Sequence, residues 1–126
     1  MDRTTMPTRN LSFLLSEASG RRSRSTVTIA SGAGKLAAGT VLGRITATGE
    51  FVPAPHAEVI DKEGAETATA ILGYFVDATD QAVEVTVVDR DAEAKLPMLS
   101  FDASVDDQAK TNAKLAQLDA VGIRVR

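Results

Sequence analysis

The chain has 126 residues, of which 25% are charged and 44% apolar, with a net charge of −3 and no cysteine. That length suits one domain with a single modest core. The charge argues against a nucleic-acid binder, whose footprint would be a basic face, and the lack of Cys removes disulfides and thiolate metal sites. Aromatic residues make up only 4% of the chain and Trp is absent, so the core falls to Val, Leu, Ile and Ala. A scaffold with so thin a core and no disulfide gains stability most readily by self-association.

The charge is unevenly spread. Arg3, Arg9, Arg21, Arg22 and Arg24 face only Asp2 and Glu17, so the first 24 residues carry +3 and the remaining 102 carry −6. Residues 1–25 are otherwise rich in Ser and Thr, a composition that cannot bury enough apolar surface to hold one conformation alone. The segment reads as an extended N-terminal arm that orders against a partner, with Leu11, Phe13, Leu14 and Leu15 as apolar anchors and the arginines steering it to an acidic surface. Leu11–Leu15 is too short and too interrupted for a signal-peptide core or a membrane span, which predicts a soluble, unexported protein.

The body of the chain, residues 26–126, reads as mainly β. Thr26–Ala30 alternates as a strand, and Ser31–Gly34 turns the chain. Lys35–Pro53 compresses two short strands and their turns into one stretch: Val41, Leu42, Ile45, Phe51 and Val52 suit a half-buried pleated surface. Gly39, Gly43 and Gly49 mark turns or close backbone approaches. Ala54–Thr69, with Pro55 and the preceding Pro53 flanking its start, the single His and a charged run, reads as a surface loop. Ala70–Val76 is the most apolar strand expected, Asp77–Asp80 a turn, and Ala82–Asp89 a clean alternating strand. Arg90–Lys95 reads as a charged, ion-paired edge and Leu96–Phe101 as a short, partly extended apolar segment.

One helix is expected over about 106–120, capped by Ser104 or Asp106, with Asp107 placed as in a capping box. Ala109, Ala113, Ala116 and Ala120 share a face on which the helix would lie closely against something flat. Gly122 stops it, and Ile123–Arg126 alternates as if returning to the sheet.

The residues make no positive case for catalysis. His56 has no nucleophile motif near it. Asp77 and Asp80 lack the further ligands of a calcium loop, and Asp89, Asp91 and Glu93 flank Arg90 as an ion-paired edge would. Gly32-Ala-Gly34-Lys35 misses the phosphate-loop spacing. No enzyme activity, cofactor or metal is therefore expected.

Read together, Val27–Pro53, Ala70–Thr79, Val85–Ala94 and Leu115–Arg126 resemble the head decoration proteins of tailed bacteriophages, the family of phage lambda protein D. The most specific pieces are Ala38-Gly-Thr-Val-Leu-Gly43 followed by Gly49 and Pro53, Asp89-Arg-Asp-Ala-Glu93 after a valine-rich strand, and Gly122-Ile-Arg-Val after the helix. The resemblance implies a β-clip-like domain that forms a homotrimer on the exterior of the expanded virion head at three-fold positions. There it would stabilise the shell against DNA pressure by clamping neighbouring major capsid proteins, after synthesis in the host cytoplasm. It also implies that the arm adds a strand to the capsid protein, with Leu11 and Phe13 on one side and Leu14 on the other, and that neither nucleic acid nor membrane is a direct partner. Relatives often carry a Trp-Pro pair before the helix; this chain has Leu99-Ser-Phe101 there, and Phe101 is expected to take over its packing. The alternative reading is a small-molecule or carbohydrate-binding β-module, suggested by the Gly-rich Lys35–Gly49 stretch with Glu50 and His56 close behind.

Overall fold

The computed structural model describes residues 10–18 and 23–126. The architecture is mainly β with a single C-terminal helix, as the sequence leads one to expect. The strands are β1 Leu14–Glu17, β2 Arg24–Ile29, β3 Gly34–Leu36, β4 Val41–Arg44, β5 Phe51–Pro53, β6 Ala68–Leu72, β7 Val76–Ala78, β8 Val83–Val88, β9 Ala92–Ala94 and β10 Ile123–Val125. Helix α1 spans Gln108–Ala120.

Five strands close a barrel in the order β2-β5-β4-β6-β8. Its longest seam is the antiparallel β2–β8 pair, in register from Arg24↔Val88 to Ile29↔Val83. Valines alternate along β8, so Val87 is buried in the barrel while Glu84 faces water. A second sheet, β1-β9-β10, lies beside the barrel, and β3 pairs with β7. β10 runs parallel to β9, and the helix between them is the kind of crossover a parallel return needs.

Closure depends on glycine at one point in particular. A Cβ on Gly43 would stand 2.6 Å from the carbonyl carbon of Ala65 and 2.9 Å from its Cα, so β4 can carry only Gly where the 54–67 segment crosses it. Gly39 likewise leaves room for the Met98 carbonyl, with φ of +96°. Both agree with the expected close approaches.

Two cores result. One fills the barrel with Ile29, Leu42, Leu72 and Val87. The other lies between barrel, second sheet and helix, and contains Phe13, Ile71, Val88, Leu118 and Ile123. Phe101 packs against this second core.

Several expectations are corrected. The strand expected over Ala70–Val76 is split: Gly73, whose N–H bonds the Thr86 carbonyl at 3.1 Å, ends the pairing with β8. Val76, Asp77 and Ala78 instead form β7, so the turn begins later than Asp77. The charged Arg90–Lys95 segment is not an edge but supplies β9, the central strand of the second sheet, because Ala92 and Ala94 turn inward between the charges.

The helix cap is Asp107, whose Oδ1 accepts from the Lys110 N–H at 2.8 Å. Ser104 is engaged with Asp102, and Asp106 with Lys110. The alanine face is exposed; α1 buries Lys114 and Leu118 instead. The Lys114 Nζ donates to the Glu66 carbonyl, and the Gln117 Oε1 accepts from the Ala68 N–H at 2.8 Å. The helix is thus pinned to the start of β6 by polar bonds that an alanine face cannot make. Leu96–Met98 forms a 3-10 turn in place of extended chain.

Ahead of β2 the chain also makes contacts with the second sheet: β1 pairs antiparallel with β9, and Ser23, fully buried, donates its hydroxyl to the Asp91 carbonyl at 2.8 Å.

Candidate functional site

The groups that could carry chemistry are placed for structural work. The main-chain N–H of His56, not its imidazole, donates to the Ser104 Oγ at 2.8 Å, and that hydroxyl donates to Asp102 Oδ2 at 2.6 Å. His56, Ser104 and Asp102 thus meet in space, yet the serine proton points to the carboxylate and the imidazole is not in the relay a triad needs. Asp77 Oδ1 accepts from the Thr79 N–H and hydroxyl, which close a local turn and lower the Asp77 pKa. Gly32 donates its N–H to the Ala78 carbonyl at 2.7 Å, so this amide is used at the end of the antiparallel β3–β7 pair and is not free to cradle an anion. Among the described residues no group of three His, Asp or Glu side chains is arranged to hold a metal ion.

The Gly-rich stretch that suggested a ligand module is accounted for in the same way. Gly39 and Gly43 are dictated by the Met98 and Ala65 backbones that press on them.

The expected partner-binding residues separate into three groups. Arg3, Arg9, Arg21 and Arg22 lie outside the described residues. Phe13 is fully buried in the chain's own second core, and Leu11 and Leu14 pack against it. These three side chains anchor β1 to the body. Leu15 alone of the four stays open, 48% exposed. Arg24 sits in β2 and forms a two-point contact with Glu17, at 2.6 and 2.9 Å. Hydrogen bonding from Arg24 holds the Glu17 carboxyl below its usual range.

The surface features that local pattern did not single out are apolar. Ile60 is 83% exposed and Phe75 53% exposed, with Val59 beside Ile60. Ile60 lies in the 54–67 loop and Phe75 at the break between β6 and β7. The available signal was the apolar pair Val59-Ile60 set between Glu58 and Asp61 in a segment otherwise read as polar loop.

The described body is mainly β, engages Asp77, Asp102 and Ser104 in internal hydrogen bonds and leaves Ile60 and Phe75 on its surface. The sequence model of the bacteriophage lambda head decoration protein D family matches residues 3–123, nearly the whole chain, and the chain belongs to that family. No individual curated protein matches the chain. Family membership makes it a structural constituent of the phage virion with a role in capsid decoration. Among the described residues no helix is long and apolar enough to cross a membrane.

Proposed function

We propose that the protein trimerises on the outside of the expanded phage head and clamps neighbouring major capsid proteins against internal DNA pressure, without catalysis or cofactor. The observation that carries this reading is the family match over residues 3–123. The distribution of charge agrees with it: Arg3 and Arg9 precede a body that is otherwise acidic, and they give the N-terminal residues the sign needed to approach an acidic shell surface.

In this reading the capsid-binding arm lies within residues 1–25 and reaches the shell first through residues 1–9, and the sequence adds Arg21 and Arg22 as a second basic point. The arm starts from a firm base. The Leu11 N–H donates to the Gly73 carbonyl at 2.8 Å, and the Asn10 Oδ1 accepts from the Phe75 N–H at 3.3 Å. An extended arm adding a strand to the capsid protein gains about 1 kcal/mol per hydrogen bond formed. Three weak arms on one trimer then hold together by multivalency.

The test is co-sedimentation with expanded and unexpanded shells of the cognate phage, using the full chain and a chain lacking residues 1–9. This truncation spares Phe13 and β1, whereas removal through residue 24 would take a core residue and a strand with it. The full chain should bind expanded shells only and raise their resistance to heat, and the truncated chain should stay folded yet bind poorly. Equal binding to unexpanded shells, or no gain in shell heat resistance, would refute the reading.

A further inference from the structure

Residues 1–9 precede the first described residue, Asn10, and the point where they join the body is specific. The Leu11 N–H donates to the Gly73 carbonyl at 2.8 Å, and the Asn10 Oδ1 accepts from the Phe75 N–H at 3.3 Å. Followed towards residue 1, the chain therefore leaves the body at the break between β6 and β7. That break is the rim of a groove of about 390 Å³, lined by Tyr74, Phe75, Val83, Glu84 and Val85 with their neighbours.

The groove exists because β6 parts early from β8. The two strands pair only at Ile71↔Val88 and Leu72↔Val87, and beyond them the Gly73 N–H takes the Thr86 carbonyl at 3.1 Å. Alternate residues of an antiparallel strand turn their main-chain groups to opposite sides. Past the end of β8 the Asp89 N–H bonds towards β2, on the Ser23 carbonyl, whereas Thr86 bonds away from it. Glu84 has the parity of Thr86, so its N–H and C=O point away from β2, to a side where no strand is laddered among the described residues. An unpaired strand edge of this kind is a template for an added strand.

The segment that ends at Asn10 suits the gap. Extended, residues 1–9 span about 30 Å, against about 10 Å for Val83–Val85. Thr4, Thr5 and Thr8 favour extended chain, Met6 is a flexible apolar side chain that fills an irregular groove, and Pro7, which has no N–H, is tolerated on an edge strand. Charge agrees. Glu84 is the one ionised side chain lining the groove, it is exposed, and it forms no ion pair among the described residues. Arg9 stands next to Asn10 in the chain. Attachment at the rim gives the segment an effective concentration of the order of mM, so a weak contact suffices to hold it.

We propose that in the free protein residues 6–9 add to the Glu84 edge of β8, with Met6 in the groove and Arg9 against Glu84. In the shell reading the arm is then stored on its own barrel and gives up that edge to reach the capsid protein; the docking itself belongs to the free chain and is tested there.

Tyr74 is the chain's only tyrosine and Trp is absent, so tyrosine fluorescence reports from the groove itself. Compared with a chain lacking residues 1–9, the full chain should show Tyr74 about twofold less accessible to acrylamide and the Glu84 amide about tenfold slower in hydrogen exchange, the protection of an edge docked nine-tenths of the time. Full-length Glu84→Lys and Arg9→Glu chains should each lose the protection of Tyr74, and the chain carrying both changes should regain it. Circular dichroism verifies that each chain is folded. Equal protection in the full and truncated chains, unchanged protection in both single variants, or protection that falls away on dilution as a contact between copies does, overturns the proposal. None of these results touches the shell reading, which fails only in the sedimentation with shells.

Discussion

Lys114 offers the sharpest test of how the helix is held. It is 1% exposed, its four-carbon stem lies against the second core, and its Nζ donates to the Glu66 carbonyl and, at 3.3 Å, to the Gln117 Oε1. Two effects oppose each other at this site. Stem packing and the carbonyl bond stabilise the fold, while desolvation of the ammonium costs free energy. Replacement by Ala removes the stem and strands a carbonyl, which should cost about 2–4 kcal/mol. Replacement by Met keeps the stem and removes the buried charge along with its bond, so it should fall within about 1 kcal/mol of wild type.

At roughly 3–5 °C per kcal/mol for a domain of this size, the Ala variant should melt about 8–15 °C lower and the Met variant within a few degrees. The pH dependence supplies a second reading. Burial lowers the Lys114 pKa below the ordinary 10.5, with Glu66 and Asp102 opposing the shift. In the window between the folded value and 10.5 the unfolded chain binds more protons, so stability should rise with pH there, and the Met variant should lack that rise. Calorimetric melts across the alkaline range measure both. If the Met variant falls as far as the Ala variant, stem packing is not what the residue contributes; if neither falls, α1 is not pinned through Lys114.

Three further outcomes follow from particular contacts. Gly43→Ala should cost about 3 kcal/mol or more, because the Ala65 backbone cannot yield to the new Cβ, whereas Gly32→Ala, with φ of +88° but open space around it, should cost only about 1 kcal/mol in urea titrations. Phe13→Ala should destabilise the isolated protein by about 3–5 kcal/mol, as a cavity in the second core would, and a melt unchanged from wild type would refute its role in that core. Glu17 and Glu93 have pKa values held below the ordinary 4.5, chiefly by hydrogen bonds from Arg24 and from Arg126. Their stabilisation is therefore present above that value and lost as pH falls through the lowered ones, so Glu17→Gln and Glu93→Gln chains should lose less melting temperature than wild type between about pH 5 and pH 3.

Much of the local grammar was legible from the residues alone. β-branched runs at Thr26–Ala30 and Ala82–Asp89 became β2 and β8, the glycines of the Lys35–Pro53 stretch became close approaches, and the Ala, Leu and Lys-rich segment became α1 with Gly122 after it. These signals are local: a strand's alternation or a helix stop is written within a few residues. The family too was carried by short motifs in a fixed order.

What the residues could not decide was which distant segment completes each contact. Alternation in Arg90–Lys95 says that Ala92 and Ala94 share a side, but only the arrival of β1 and β10 on both flanks makes that segment the centre of a sheet. The helix has alanines on one face and Lys114 with Leu118 on another. With no dominant apolar stripe, its orientation was settled by a carbonyl 48 residues away that accepts the Lys114 bond. Phe13 reads from sequence as an anchor for a partner because the segment around its short apolar run is rich in Ser, Thr and Arg; the space between barrel and second sheet, assembled from residues 41 to 123, is what buries it. Local sequence determined which elements form and where most of them end. Tertiary packing determined which faces those elements bury, and with that which apolar side chains, Ile60 and Phe75 among them, remain on the surface.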